Sequence, residues 1–539
     1  MPLETDPTRR DFIRTSAVAL GAAAFPLGAA AEPKTKWRRM SLTDPAAAPH
    51  IESYKKALRA MLALPPDDPR NWYRVTFIHT LDCPHGNWWF LPWHRGYIGW
   101  FERIVREVSG DPGFALPYWD WTQEPRIPAV MFDDVLTPAN PAFIGPFPEF
   151  ETKFRDILAK AAYWNQVKLP SGDLDPRSQY AQLLIRGLRF PEDLWFDIID
   201  DPRGQFFFDR AHARRLTKEH PDLDPDTAEA VSRTTLLDSL SPRDFQAFGS
   251  TKALRHSYAT GSGVLEGQPH NLVHNDIGSL GFMQDMMSPV DPIFFLHHSN
   301  IDRLWDVWTR KQLARGYPHL PAGADYDRWA KEPFVFFVDE KGDPVTQTSA
   351  KDYEEIGRFD YDYQPGSGEE VVPKMLEAAP AALVEGREHE VELTVTSVAA
   401  SGGARGRVVI PRATGAALEL DEPLRLFARI TVAMDPLRHG SKLRVFVNGP
   451  AELGDAGPES PHHAATVAMF GRQMRESDMT FLVPLADAIP DETENALRSE
   501  GGALTIRVVP ERKMMGRQHA LMAAPPADAE IVEIVIEEH

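Results

Sequence analysis

Ile78–Glu102 reads IHTLDCPHGNWWFLPWHRGYIGWFE. It holds three histidines, His79, His85 and His94, and the chain's single cysteine, Cys83, two residues before His85. Trp88, Trp89, Phe90, Trp93, Tyr97, Trp100 and Phe101 surround them. A neutral imidazole is the commonest protein ligand for a late first-row metal. Three of them behind an aromatic wall would hold such an ion in a dry pocket. Taken singly, each would serve equally well as a core histidine bonded to backbone. The set gains its weight because the chain repeats it.

The repeat lies about two hundred residues on, in EGQPHNLVHNDIGSLGFMQDMMSPVDPIFFLHHSNIDRLW, Glu266 to Trp305. His270 and His274 are four apart, which on a helix puts both rings on one face. Pro269 suits a first helical turn. After the apolar run Ile293–Leu296 come His297 and His298, and His298 to Asp302 is again a helical spacing. Each segment thus offers at least three imidazoles, and neither has a carboxylate at an obvious ligand position. Dinuclear sites for zinc, manganese or iron usually include Asp or Glu. Neutral imidazoles without an anionic ligand favour a soft, reducible metal, and copper tops the affinity series. Two copper ions, each with an open position, would share one O2.

The two segments resemble the copper motifs of the tyrosinase and catechol oxidase (polyphenol oxidase) family, the type-3 copper proteins that include molluscan haemocyanins. The first motif is met by His85, Phe90, Trp93, His94, Arg95 and Glu102, the second by Asp291, Pro292, Phe294, Phe295, His298 and Asp302. In that pattern the ligand is the second histidine of the pair, so the resemblance assigns the role to His298 and not His297. It implies one copper on His79, His85 and His94 and the other on His270, His274 and His298, with a small phenolic substrate and O2 as partners. Cys83 and His85 resemble the thioether cross-link of some relatives; the alternative is a buried free thiol. Glu266 and Asn271 occupy positions that in relatives hold a water proposed as base for an incoming phenol. Asn275 is placed near the substrate entrance and Met283–Met287 near the pocket mouth. Leu116–Trp121 is similar to a segment that packs beneath the site.

At 539 residues the chain exceeds one compact domain. A net charge of −20 argues against nucleic acid or an anionic membrane as partner. Residues 1–31 read as a signal for the twin-arginine translocase: Arg9-Arg10 is followed by a weakly apolar Ala-rich run too short to span a membrane well. Export would place the enzyme in the periplasm or outside the cell. One cysteine rules out an internal disulfide framework.

The expected organisation is a mainly α, loop-rich catalytic domain over 32–363, a linker over 364–384 and an all-β sandwich over 385–539. The resemblance makes the first a four-helix bundle around the dicopper site. Alternating, β-branched runs at Glu390–Val398, Leu424–Val432, Lys442–Val447, Met479–Val483, Ala503–Val509 and Ile531–Ile536 predict strands. In relatives the C-terminal domain covers the copper site and inserts a side chain where substrate would sit, and Phe470 is the candidate here. The function implied is a latent oxidase turning phenols or o-diphenols into o-quinones. An o-aminophenol oxidase and a haemocyanin-like oxygen carrier are the alternatives.

Overall fold

The aromatic density of Ile78–Glu102 resolves into helices because Asn71 and Gly110 punctuate it. In the computed structural model, which describes residues 36–195, 213–278, 281–373, 384–395, 406–412, 425–433, 442–450, 456–470, 478–485, 488–490, 503–510 and 530–539, the Asn71 side chain caps α2 (Trp72–Asp82) by accepting from the Tyr73 N–H. Gly110, at φ 68°, ends α3 (Phe90–Ser109) in the left-handed conformation that favours glycine. Upstream, α1 (Ala48–Ala63) packs on α3. Later come α4 (Pro225–Ala230), α5 (Asn271–Gly278) and α6 (Ile293–Arg315). Helices α2, α3, α5 and α6 form the bundle that the resemblance implied. Gly99 of α3 carries no side chain because the Phe359 ring occupies the place a Cβ would need.

The helical core is closed by charge as well as by apolar packing. A parallel pair, β1 (Trp37–Arg39) with β2 (Tyr361–Tyr363), joins the two ends of this region. Arg39 of β1 donates through Nε to Glu102 of α3 at 2.7 Å and through Nη1 to Asp302 of α6 at 3.3 Å. Arg95 Nε reaches Asp302 at 2.6 Å, and the Tyr361 and Tyr363 hydroxyls donate to the same carboxylate, each at 2.5 Å. Burial works against the Asp302 carboxylate, but the charges of Arg95 and Arg39 hold it below the usual range. Thus Arg95, Glu102 and Asp302, motif residues that are not ligands, tie four chain segments together.

Beyond the helices, eight strands form one continuous ladder: β3 (Val384–Val395), β4 (Gly406–Arg412), β5 (Leu426–Ala433), β6 (Lys442–Val447), β7 (His463–Ala468), β8 (Met479–Pro484), β9 (Ala503–Pro510) and β10 (Glu530–Glu538), in the order β8-β5-β10-β4-β3-β9-β6-β7. Strand β3 belongs to both halves. It pairs with β4 up to Val391, then with β9 from Glu392 on. The halves face each other across an apolar core that includes Ile430, Val432, Leu443, Val445, Phe481 and Ile534. This is the sandwich architecture expected, with two strands, β4 and β7, that the alternation did not single out. This core is separate from that of the helices, which involves residues from Leu42 to Val372. No helix among the described residues is long and apolar enough to cross a membrane. The signal segment 1–31 lies outside the described residues.

The described start of the predicted linker departs from expectation. Composition predicts a loose tether at Gln364–Glu370, yet Gln364 N–H donates to the Arg39 carbonyl, Ser367 N–H to Asp120, and Arg310 holds Glu369 through both guanidinium arms at 2.9–3.0 Å. Composition is blind to such long-range partners.

His539 fastens β10 to the helical region: Nδ1 lies 3.1 Å from Asp244 and Nε2 2.9 Å from Glu537. Burial alone would lower this imidazole, but hydrogen bonds and charge from Asp244 and Glu537 outweigh it and raise it to about 9. A raised histidine stabilises fully below its unfolded value, about 6.5, and loses that contribution as pH rises through the folded one. The Tm should therefore fall between pH 7 and pH 10 by more in the wild type than in His539→Ala, as calorimetry would show.

Candidate metal centre

Six histidines are delivered by four helices, one loop and one π-helical turn. His79 comes from α2, His94 from α3, His274 from α5 and His298 from α6; His85 sits in the loop before α3. His270 ends a π-helical turn, Glu266–His270, that runs directly into α5. The helical stretch therefore starts ahead of Pro269, instead of at it as the sequence suggested. A π turn widens the backbone ring and is common at functional sites. The His270 and His274 rings still share a face, their centroids 4.5 Å apart.

The two sets face one another. His94 stacks on His298 at 4.1 Å and an interplanar angle of 7°, and His85 lies over His270 at 5.7 Å. Within the second set, His298 Nε2 stands 3.3 Å from His270 Nε2 and 3.2 Å from His274 Nε2. Two nitrogens bound at about 2.0–2.1 Å to one tetrahedral ion would lie about 3.3 Å apart, so the spacing suits a shared metal. In the first set the ligand atoms of His79, Cys83, His85 and His94 lie within 4.8 Å of one another.

Orientation is imposed through the other ring nitrogen. His79 Nδ1 bonds the Met286 carbonyl at 2.7 Å, His94 Nδ1 the Phe90 carbonyl at 2.8 Å, and His274 Nδ1 the Met283 carbonyl at 2.7 Å. His270 Nδ1 meets Asn271 Oδ1 at 2.8 Å. A carbonyl can only accept, so the proton sits on Nδ1 and Nε2 keeps its lone pair for a metal. Buried His79 Nε2 has no hydrogen-bond partner among the described residues. Burial pushes His79 and His270 down to about 3 and His85, His94, His274 and His298 well below the ordinary imidazole value. Six neutral donors, four of them oriented in this way, with no carboxylate among them fit copper.

Several placements were not legible from the sequence. Met283 and Met287 are buried, and the stretch assigned to the pocket mouth braces the His274 and His79 rings through the Met283 and Met286 carbonyls. His297 joins the second cluster as a fourth imidazole within 4.8 Å of the rest. The signal, a doubled histidine at a helix start, was visible, but spacing alone does not say which ring turns inward. Trp119 N–H donates to the Leu296 carbonyl at 3.1 Å, which puts Leu116–Trp121 beneath the site as expected. Of the histidines outside the site, His256 is buried and bonds Asp82 O and Glu332, His220 is exposed, and His212 lies outside the described residues.

Glu266 is buried beside the site. It accepts from Gly86 N–H at 2.6 Å and from the Ser250 hydroxyl, and burial pushes its carboxyl up to about 7. Cys83 Sγ lies 3.6 Å from His85 Nε2 and 3.3 Å from His94 Nε2.

Above the imidazoles sits the end of β7. Phe470, buried, places its ring 4.0 Å from His274, 4.9 Å from His85 and 5.5 Å from His270. Asn271 Nδ2 donates to the Ala468 carbonyl at 2.6 Å and Asn275 Nδ2 to the Met469 carbonyl at 2.9 Å. Lys442 reaches Asp224 at 2.5 Å, and Arg444 grips both Asp226 oxygens at 2.7 and 2.9 Å. Ser262 adds backbone bonds to β8.

Comparison with known proteins bears on this centre directly. The family model described as the common central domain of tyrosinase matches residues 69–311. The chain is 25% identical over 340 residues to the chloroplastic polyphenol oxidase of Spinacia oleracea, covering 58% of this chain and 45% of that protein. It is 30% identical over 290 residues to a tyrosinase of Hahella sp., covering 52% and 47%. The chain thus spans about half the length of the curated relatives it matches. Among solved structures, a latent aurone synthase (polyphenol oxidase) superposes with a TM-score of 0.53 at 19% identity over 94% of this chain and 89% of that one. A latent apple tyrosinase gives 0.50 at 20% identity, with 89% and 98% covered. These likenesses show a shared fold across both the helical and the strand regions. Residues 69–311, with both imidazole sets inside them, are thus a tyrosinase common central domain, and the likeness to polyphenol oxidases and tyrosinases runs through it.

Proposed function

We propose that the protein is a latent, exported dicopper oxidase that converts phenols or o-diphenols to o-quinones with O2. The observation that carries this reading is the pair of opposed, carboxylate-free imidazole sets. His79, His85 and His94 would hold one copper and His270, His274 and His298 the other; bound there, the pair supplies electron exchange with O2. The residues do the rest. Backbone carbonyls fix the tautomers of His79, His94 and His274, Asn271 fixes that of His270, and the aromatic wall excludes water. His274, whose ring is covered by Phe470, offers the face on which a phenolic ring would stack. Glu266, with its carboxyl near neutrality, is suited to take a phenol proton through water. Asn271, whose Nδ2 has a second hydrogen besides the one given to the Ala468 carbonyl, would hold that water.

Latency follows from the ring of Phe470 filling the place of the substrate ring. Copper-loaded, full-length Phe470→Gly should take up O2 with a catechol at least ten times faster than wild type. Equal rates would remove Phe470 as the plug. The thioether proposed between Cys83 and His85 predicts a mass deficit of two hydrogens in the peptide holding both residues after copper loading. The deciding experiment for the whole reading is O2 uptake by copper-loaded protein, before and after proteolysis beyond residue 373, with tyrosine, a catechol and an o-aminophenol. O2 binding without turnover of any of them would make it an oxygen carrier.

A further inference from the structure

The lid is more specific than a plug needs to be. A phenyl ring alone would fill the space over His274, yet two side-chain amides of the catalytic region also read the main chain leading into that ring. Asn275 donates to the carbonyl of Met469, the acyl group on the Phe470 nitrogen, at 2.9 Å. Asn271 donates to the next carbonyl back, Ala468, at 2.6 Å. The plug is therefore an aromatic ring joined through two carbons to an acylated nitrogen, held by the ring on His274 and by the carbonyl on Asn275. Asn275 is buried, and its Oδ1 meets no donor among the described residues. A buried amide with one end unsatisfied is costly, so this side chain is also equipped to accept from an N–H or O–H on an incoming molecule.

Resting on the reading of the centre as a phenol or catechol oxidase, we infer that the open pocket is built for N-acylated 2-arylethylamines, with Asn275 as the residue that selects the acyl carbonyl. Their aromatic ring takes the place of the Phe470 ring and their carbonyl that of Met469. An amide group supplies what Asn275 needs, whereas a free amine brings a charge into a site lined by neutral imidazoles and amides. The chemistry on the ring is ordinary catechol oxidation: two catechols give up four electrons and four protons to one O2, forming two o-quinones and two waters. Small N-acyl amines and tyrosyl residues within peptides share this chemistry, and the Ala468 carbonyl on Asn271 is the contact that only a peptide reproduces.

The test uses copper-loaded full-length protein cut by limited proteolysis between its two cores. Turnover of N-acetyldopamine, dopamine and an acetyl-Ala-Dopa amide is compared, together with calorimetric binding of two inert probes, N-acetylphenethylamine and phenethyl alcohol. One buried hydrogen bond predicts a kcat/KM for N-acetyldopamine roughly five to ten times that for dopamine, and a similar gap in Kd between the probes. In Asn275→Ala and Asn275→Leu both ratios should fall toward one. A further gain for the peptide identifies peptidyl tyrosine as the source; no gain identifies the small amide. Turnover of all catechols without preference, together with equal probe affinities, overturns this inference and leaves the oxidase reading standing. No oxidation of any catechol overturns both.

Discussion

Asp302→Ala is expected to lower folding stability by ~3–5 kcal/mol, the cost of leaving a buried charge without its partner. In this case one guanidinium loses its carboxylate partner and a second loses one of two. Arg39 and Arg95 are both buried, and both point at this carboxylate. Glu102 retains Arg39, but Arg95 then keeps the carbonyls of Tyr353 and Glu354 and the Trp305 ring face, with no hydrogen-bonded carboxylate, while the Tyr361 and Tyr363 hydroxyls lose their acceptor. Urea titration of metal-free protein should show the midpoint falling without change in slope. Asp302→Asn, which keeps acceptor oxygen but not charge, should fall between. Removal of the exposed pair Lys160–Asp156 should have no measurable effect, because water already solvates both ends. An unchanged midpoint for Asp302→Ala would mean the four segments are held by apolar packing alone.

His298→Ala should remove one of two coppers and reduce catechol oxidation by more than the roughly 10–100-fold that follows loss of an outer partner of a metal site. The reasoning is geometric. His298 Nε2 is the atom common to the two short nitrogen–nitrogen approaches in the second set, and its ring is the one stacked on His94 of the first. Without it, His270 and His274 would be left as a two-nitrogen site. His297, one residue earlier, is buried in the same cluster, so the neighbouring variant is the sharp control. Metal analysis should find two coppers in His297→Ala and one in His298→Ala. The reverse result would reassign the ligand and, with it, the reading of the doubled histidine.

Much of this was legible because the chemistry is concentrated. Histidines four apart imply one helical face, and the absence of a carboxylate implies the metal; neither inference needs tertiary structure. The bundle followed from the resemblance carried by the two histidine segments, and most strands from their alternation. What remained hidden depends on contacts across hundreds of residues. Nothing local in Met283 or Met286 says that their carbonyls will orient His274 and His79. Nothing in Gln364–Glu370 announces Arg310 as a clamp. Strand β7, the short run HAATVA, lacks strong alternation and was passed over, although the residues just past its end supply the lid. Pro269 misled for a physical reason: proline opens α-helices well, but a π turn also tolerates it, and periodicity cannot tell the two apart.

The Met283–Met286 brace uses main-chain oxygens, which no side-chain replacement can delete. One short stretch holds a histidine of each imidazole set in register, so its length sets both at once. Engineering aimed at tuning one metal's affinity by point substitution there should find the stretch indifferent, whereas inserting or deleting a single residue would disorder both ions together.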